Sequence, residues 1–176
     1  QDRGYRAHVR VLGIDPGLRL TGYGCLDAGA RPAISPGTLV EAGVLRLVPA
    51  GGPTPAIDAR LLELDRDLSE MFERLRPDLV AVEALFAHAA HPATAIKMAH
   101  ARGVILLAVR RAGIELVEMA PRAIKRAITG SGRAAKAQMQ ESVRARLGLV
   151  TPLTPPDVAD ALAVAIAACD RSTIPR

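Results

Sequence analysis

Cysteine, aromatic residues and long apolar runs are all scarce in this 176-residue chain. The two cysteines, Cys25 and Cys169, stand far apart and without metal-ligand spacing, which argues against a disulfide framework or a thiolate metal site and fits a reducing cytosol. Both read as packing residues. The longest apolar stretches, such as GVILLAV at 103–109, fall far short of the roughly 20 residues that cross a bilayer, and no targeting segment is visible. A cytoplasmic protein with no membrane partner is therefore expected. Aromatics make up 2% of the chain, so Phe86, one of two phenylalanines, is by default a core residue. Lysine is scarce as well: arginine supplies 20 of the 23 cations, a preference that suits bidentate phosphate binding but also follows from an alanine- and arginine-rich composition.

A chain of this length can bury a sizeable core as one domain without staples. Residues 1–8 (QDRGYRAH) read as a native extension or a cloning scar, and 9–176 as a single domain. Strand-like runs at 9–15 and 20–27 meet through Pro16 and Gly17 in a hairpin, and a third run follows at 39–48. Apolar positions at 57, 61, 62, 64, 68, 71, 72 and 75 repeat with a helical period that Pro77 closes. DLVAVEALF (78–86) reads as a buried strand, 93–113 as a long helix and IELVEM (114–119) as another strand; helices dominate from Pro121 onward, at 121–129, 134–148 and 156–171. The TGSGR segment (129–133) reads as a mobile loop. Three initial strands followed by strand and helix alternation predict an α/β fold with a mixed five-stranded sheet covered by helices on both faces.

Charge is unevenly spread. Between Pro121 and Gly148 seven cations (Arg122, Lys125, Arg126, Arg133, Lys136, Arg144, Arg146) face one anion, Glu141; this local +6 within a whole-chain +5 leaves about −1 elsewhere. Such a block is the footprint of a polyanion partner, or else a solvated helix face.

Four acids carry most of the functional information: Asp15 in VLGIDPG, Glu83 in LVAVEALF, and Asp157 and Asp160 in PPDVADALAVAIAA. The first two end apolar strand-like runs, where an ionised carboxylate is costly unless a partner compensates it. Each has a plain structural reading: Asp15 in an Asp-Pro-Gly turn, Glu83 accepting backbone hydrogen bonds, Asp157 at the positive end of a helix. Asp160 lies one turn on, on the same side as Asp157. Gathered in one place, each pair at 4 Å would repel by about 4 kcal/mol at an effective dielectric of 20. Divalent cations would reverse that sign. Mg²⁺ or Mn²⁺ prefers hard oxygen ligands and keeps waters, leaving room for substrate phosphates, and two such ions can activate a water and stabilise the leaving oxygen of a phosphodiester displacement.

In matching order and at similar intervals, GIDPGLRLTGYG, the strand-ending Glu83 in VEALF, AIKMAHARGV and DVADALAVAIA resemble the RuvC family of Holliday-junction resolvases over residues 9–170. The resemblance implies an RNase H-like fold of the retroviral integrase superfamily, a homodimer, and Mg²⁺-dependent resolution of four-way DNA junctions by paired symmetric nicks in recombination and repair. It implies two Mg²⁺ per subunit, replaceable by Mn²⁺, held by Asp15, Glu83, Asp157 and Asp160 as catalytic metal ligands. Phe86 matches an aromatic residue near the junction centre, where stacking on an unpaired base contributes roughly 1–3 kcal/mol. Lys125 and Lys136 match lysines implicated in DNA contact or catalysis, and with Arg122, Arg126 and Arg133 they are the candidate DNA contacts. The resemblance also suggests a RuvA-RuvB branch-migration complex as partner. One departure stands out: relatives often carry a Lys-Asn pair where this chain has Ala89 and Ala90.

Other readings of the same residues remain open. A non-cleaving binder of structured nucleic acid would keep the basic block, and an RNA-processing nuclease of the same fold would keep the acids. An ATPase of the actin and sugar-kinase type would share a GIDPG-like phosphate loop but needs two such domains. His88, His91 and His100 read as surface histidines. The helix at 93–112 is apolar around most of its circumference, which suits either burial or an isologous contact between two copies.

Overall fold

The computed structural model describes residues 8–29, 37–84 and 92–172. In chain order these form β1 (His8–Asp15), β2 (Leu20–Gly29), β3 (Thr38–Arg46), α1 (Ile57–Leu75), β4 (Leu79–Glu83), α2 (Pro92–Arg111), β5 (Glu115–Met119), α3 (Pro121–Thr129), α4 (Lys136–Arg146) and α5 (Pro156–Ser172). The strands build one five-stranded sheet in the order β3-β2-β1-β4-β5. β1, β2 and β3 are antiparallel neighbours, whereas β4 and β5 run parallel to β1 and reach it through the crossover helices α1 and α2. The predicted mixed sheet with helices on both faces is what forms.

Period-two alternation divides the sheet into two cores. Val11, Leu79 and Ala81 face α3, α4 and α5; Leu12, Ile14, Val80 and Val82 face α1 and α2. Asp15 and Glu83, two residues beyond Gly13 and Ala81, share the α5 side. α5 is the central helix, with residues 161–169 all buried. Its alanines let it lie against the sheet on one side and against α3 and α4 on the other. Glycine on the sheet matches this: a Cβ at Gly13 would stand 2.2 Å from Ala161 O, and one at Gly22 2.2 Å from Asp157 O.

Several local expectations shift. β1 starts at His8 and β3 ends at Arg46, because β2 begins at Leu20, the partner of Arg46. Leu47 instead donates its N–H to Arg19 O at 3.0 Å and drops into the α1/α2 core. In α1 the buried set is Leu64, Leu68, Met71, Phe72 and Leu75 with Arg60, while Leu62 is 53% exposed. The TGSGR segment is a hydrogen-bonded turn: Thr129 Oγ1 donates to Lys125 O at 2.9 Å and accepts from Ser131 N at 3.2 Å. Both cysteines are free and buried, on opposite faces, and desolvation pushes the Cys25 thiol up to about 11 and Cys169 to about 12.

Candidate active site

β1 and β4 are adjacent parallel strands, and Ile14 pairs with Val82. Their carboxyl ends therefore set Asp15 and Glu83 side by side at the sheet edge where α/β folds bind ligands. The first turns of α5 arrive over them because Gly13 and Gly22 have no side chain to hold the helix off. The DPG loop after Asp15 is anchored from three sides. Thr21, fully buried, donates to Gly17 O at 2.7 Å and accepts from Gly17 N at 3.3 Å; Arg60 Nη1 donates to Leu18 O at 2.9 Å; Leu47 holds Arg19 as described. Neither Thr21 nor Arg60 stood out in the sequence. The only available signal was a threonine two residues beyond Arg19 and an arginine on an otherwise apolar stripe.

A cavity of about 220 Å³ opens at this point, lined by Asp15, Glu83, Pro121, Ile124, Lys125, Lys136, Met139, Asp160, Ala163 and Val164. Asp157 is not among its walls, but its charge acts on Asp15. Burial, then Asp160, Asp157 and Glu83, push the Asp15 carboxyl from 3.8 up to about 7, and Lys136 opposes them. Glu83 is raised by burial and by Asp160 and lowered by Lys125. Lys136 Nζ lies 2.7 Å from Asp160 Oδ2, a bond that raises its own pKa, with Asp15 and Asp157 adding to the effect. One lysine from α3 and one from α4 thus serve the acids.

The rest of the basic block divides in two. Arg144 is held by Glu141 and by Leu149 O, and Arg146 by Asp170 in bidentate fashion and by Ala127 O. These two stabilise the helical layer and leave Arg122, Arg126 and Arg133 as the outward cations. Phe86, His88, Ala89, Ala90 and His91 lie outside the described residues; His100 is exposed on α2.

The description "Crossover junction endodeoxyribonuclease RuvC" belongs to the family model that matches residues 11–168. The chain belongs to the RuvC family. Relatives bearing that description include those of Chloroflexus aggregans, 45% identical over 174 residues with 95% of each chain covered, and Chloroflexus aurantiacus, 46% identical over 167 residues at the same coverage. Among solved structures, Thermus thermophilus RuvC superposes with a TM-score of 0.80 at 30% identity, covering 93% of this chain and 95% of that one. The same protein in complex with a Holliday junction substrate gives 0.77 at 27% identity, with the same coverage. The architecture is accordingly RNase H-like, the RuvC family is one of divalent-metal-dependent nucleases, and the chain is an endodeoxyribonuclease.

The donor set fits that chemistry. Every candidate ligand is a hard carboxylate oxygen, and burial first, then the neighbouring acids, raise the Asp15 and Glu83 carboxyls although two lysines oppose them. Among the described residues no three His, Cys, Asp or Glu side chains form a ready-made ligand shell. Ions here would be held by fewer protein ligands, with waters and phosphate oxygens completing them, as Mg²⁺ prefers.

Proposed function

We propose that this chain resolves four-way DNA junctions by symmetric nicks in two opposed strands, with residues 9–176 acting as one nuclease domain, as part of cytoplasmic recombination and repair. The observation that carries this reading is the meeting of Asp15, Glu83 and Asp160 around one cavity that also receives Lys125 and Lys136. Asp15, Glu83 and Asp160 would hold two Mg²⁺, with Asp157 completing the set from the first turn of α5 and Mn²⁺ able to substitute. Bound, these ions would supply Lewis acidity for attack of water on a phosphodiester and for charge on the leaving oxygen. The chain's own residues position the substrate. Lys125 and Lys136 approach the scissile phosphate and offset its developing charge, while Arg122, Arg126 and Arg133 bind backbone phosphates of the arms. Phe86, three residues beyond Glu83, stacks on an unpaired base at the junction centre.

A four-way junction offers two opposed strands and so calls for two copies of the site. α2 supplies a surface for this. Its inner face buries Ala101, Ile105, Ala108 and Val109, while Ile96 (59% exposed), Gly103 and Leu107 (55% exposed) line the other side at helical spacing. Two copies of this stripe form an isologous contact. A RuvA-RuvB branch-migration complex is the motor partner in this reading.

The deciding experiment uses a labelled four-way junction with and without Mg²⁺. Wild-type protein is expected to cut it, Asp15→Asn and Asp160→Asn to shift it on a gel without cutting. Full cleavage by either variant refutes the assignment of these acids, and an intact but shifted junction with wild-type protein would leave only a binding module. RNA junctions run in parallel separate DNA from RNA cleavage.

A further inference from the structure

Lys136 is the first residue of α4, leaving the helix directly after the hydrogen-bonded TGSGR turn and the buried Ala134. From there its ammonium reaches Asp160 Oδ2 at 2.7 Å, and its charge couples to Asp15 and Asp157. A single cation thus serves three of the four acids, through an oxygen that a divalent ion would need. The ammonium and the ion compete for Asp160 Oδ2, because two cations at one carboxylate oxygen repel each other. The lysine side chain is 63% exposed, so it has room to swing outward. Lys125 differs: its charge acts on Glu83, whereas the bond to Asp160 belongs to Lys136.

We propose that Lys136 is a built-in counter-ion of the acidic cluster, which a divalent cation displaces from Asp160, and that the released ammonium then turns to the DNA phosphate. This rests on the reading of the acids as the metal site. Metal entry and phosphate contact are thereby coupled through one side chain, and the acids are never left without a cation.

The scarcity of lysine makes this measurable, because the chain has just Lys97, Lys125 and Lys136. In the full-length wild-type protein, acylation of each lysine by an activated ester is read by mass spectrometry at pH 8 with EDTA and again with saturating Mn²⁺. Labelling of Lys136 is expected to rise several-fold with Mn²⁺, while exposed Lys97 on α2 stays constant. Mn²⁺ affinity is measured alongside by the spin-resonance signal of the free ion. Lys136→Gln should bind Mn²⁺ about twofold to fivefold tighter than wild type, the range expected when an exposed ion pair no longer competes, and Lys136→Arg should bind as wild type does. Unchanged or weaker Mn²⁺ binding by K136Q overturns the proposal, as does Lys136 labelling that is indifferent to Mn²⁺ in the unmutated chain. Asp160→Asn separates the two levels: Mn²⁺ binding unaffected by that change removes the acids as the metal site, whereas weakened binding alongside an inert K136Q removes only the counter-ion role.

Discussion

Replacing Asp15 by Asn should make the protein more stable while destroying its activity, and the size of the gain follows from the site. The Asp15 carboxyl titrates near 3.8 in an unfolded chain and at about 7 in the fold, chiefly because burial and then Asp160, Asp157 and Glu83 oppose its ionisation. Between those two pH values the folded protein holds a proton that the unfolded chain has released. Stability from this group is therefore greatest below pH 3.8, drains away as pH rises toward 7 and is flat above it. At about 1.36 kcal/mol for each pH unit separating the two values, the full loss is about 4 kcal/mol. Asn is isosteric with the neutral acid and escapes it. Urea unfolding in EDTA should then show D15N more stable than wild type by about 2–4 kcal/mol at pH 8, closing to under about 1 kcal/mol at pH 4. Adding Mg²⁺ should raise the wild-type midpoint at pH 8 far more than that of D15N, because only the ionised carboxylate gains from the ion. A D15N protein no more stable than wild type at pH 8 would refute the claim that this carboxylate sits in a negative, desolvated pocket.

Three further outcomes test other parts of the structure. The triple change of Arg122, Arg126 and Arg133 to Ala should flatten the log-log salt dependence of junction binding by about 0.9 for each phosphate that is no longer neutralised, measured by fluorescence anisotropy, whereas Arg144→Ala should lower stability and leave the slope alone. Gly13→Ala should cost about 3 kcal/mol or more and abolish cleavage together, because its Cβ would meet the backbone of Ala161 and Ala165 and α5 must lift away from Asp15; chemical unfolding and cleavage assays check both. Leu107→Glu should yield monomers in sedimentation at micromolar concentration without lowering the unfolding midpoint, since this side chain is half exposed on the outer face of α2.

Much of this was readable from residue order. Apolar runs interrupted by Pro and Gly marked where each strand begins within about one residue, the 3.6-residue period marked α1, and acids at the ends of apolar strands signalled a site, since a charge there needs compensation. Other features were hidden because they depend on which surfaces meet. Leu62 fitted the apolar period of α1 as well as Leu64 did, yet it faces water, while Arg60 is buried because Leu18 O lies within reach. Likewise Arg144 and Arg146 counted in the sequence as part of one basic block, whereas the fold sets Glu141 and Asp170 beside them.

Sequence by itself determined the alternation that builds the sheet, the placing of acids at strand ends and at a helix start and the clustering of positive charge, because these follow from local periodicity and from side-chain chemistry. Only the tertiary structure decided that Asp15, Glu83 and Asp160 share a cavity, that Asp157 acts on Asp15 through its charge without lining that cavity and that Lys136 rests among them. Those relations depend on how closely α5 approaches β1 and β2, a distance fixed by the missing side chains of Gly13 and Gly22 acting together with helix and sheet segments far apart along the chain.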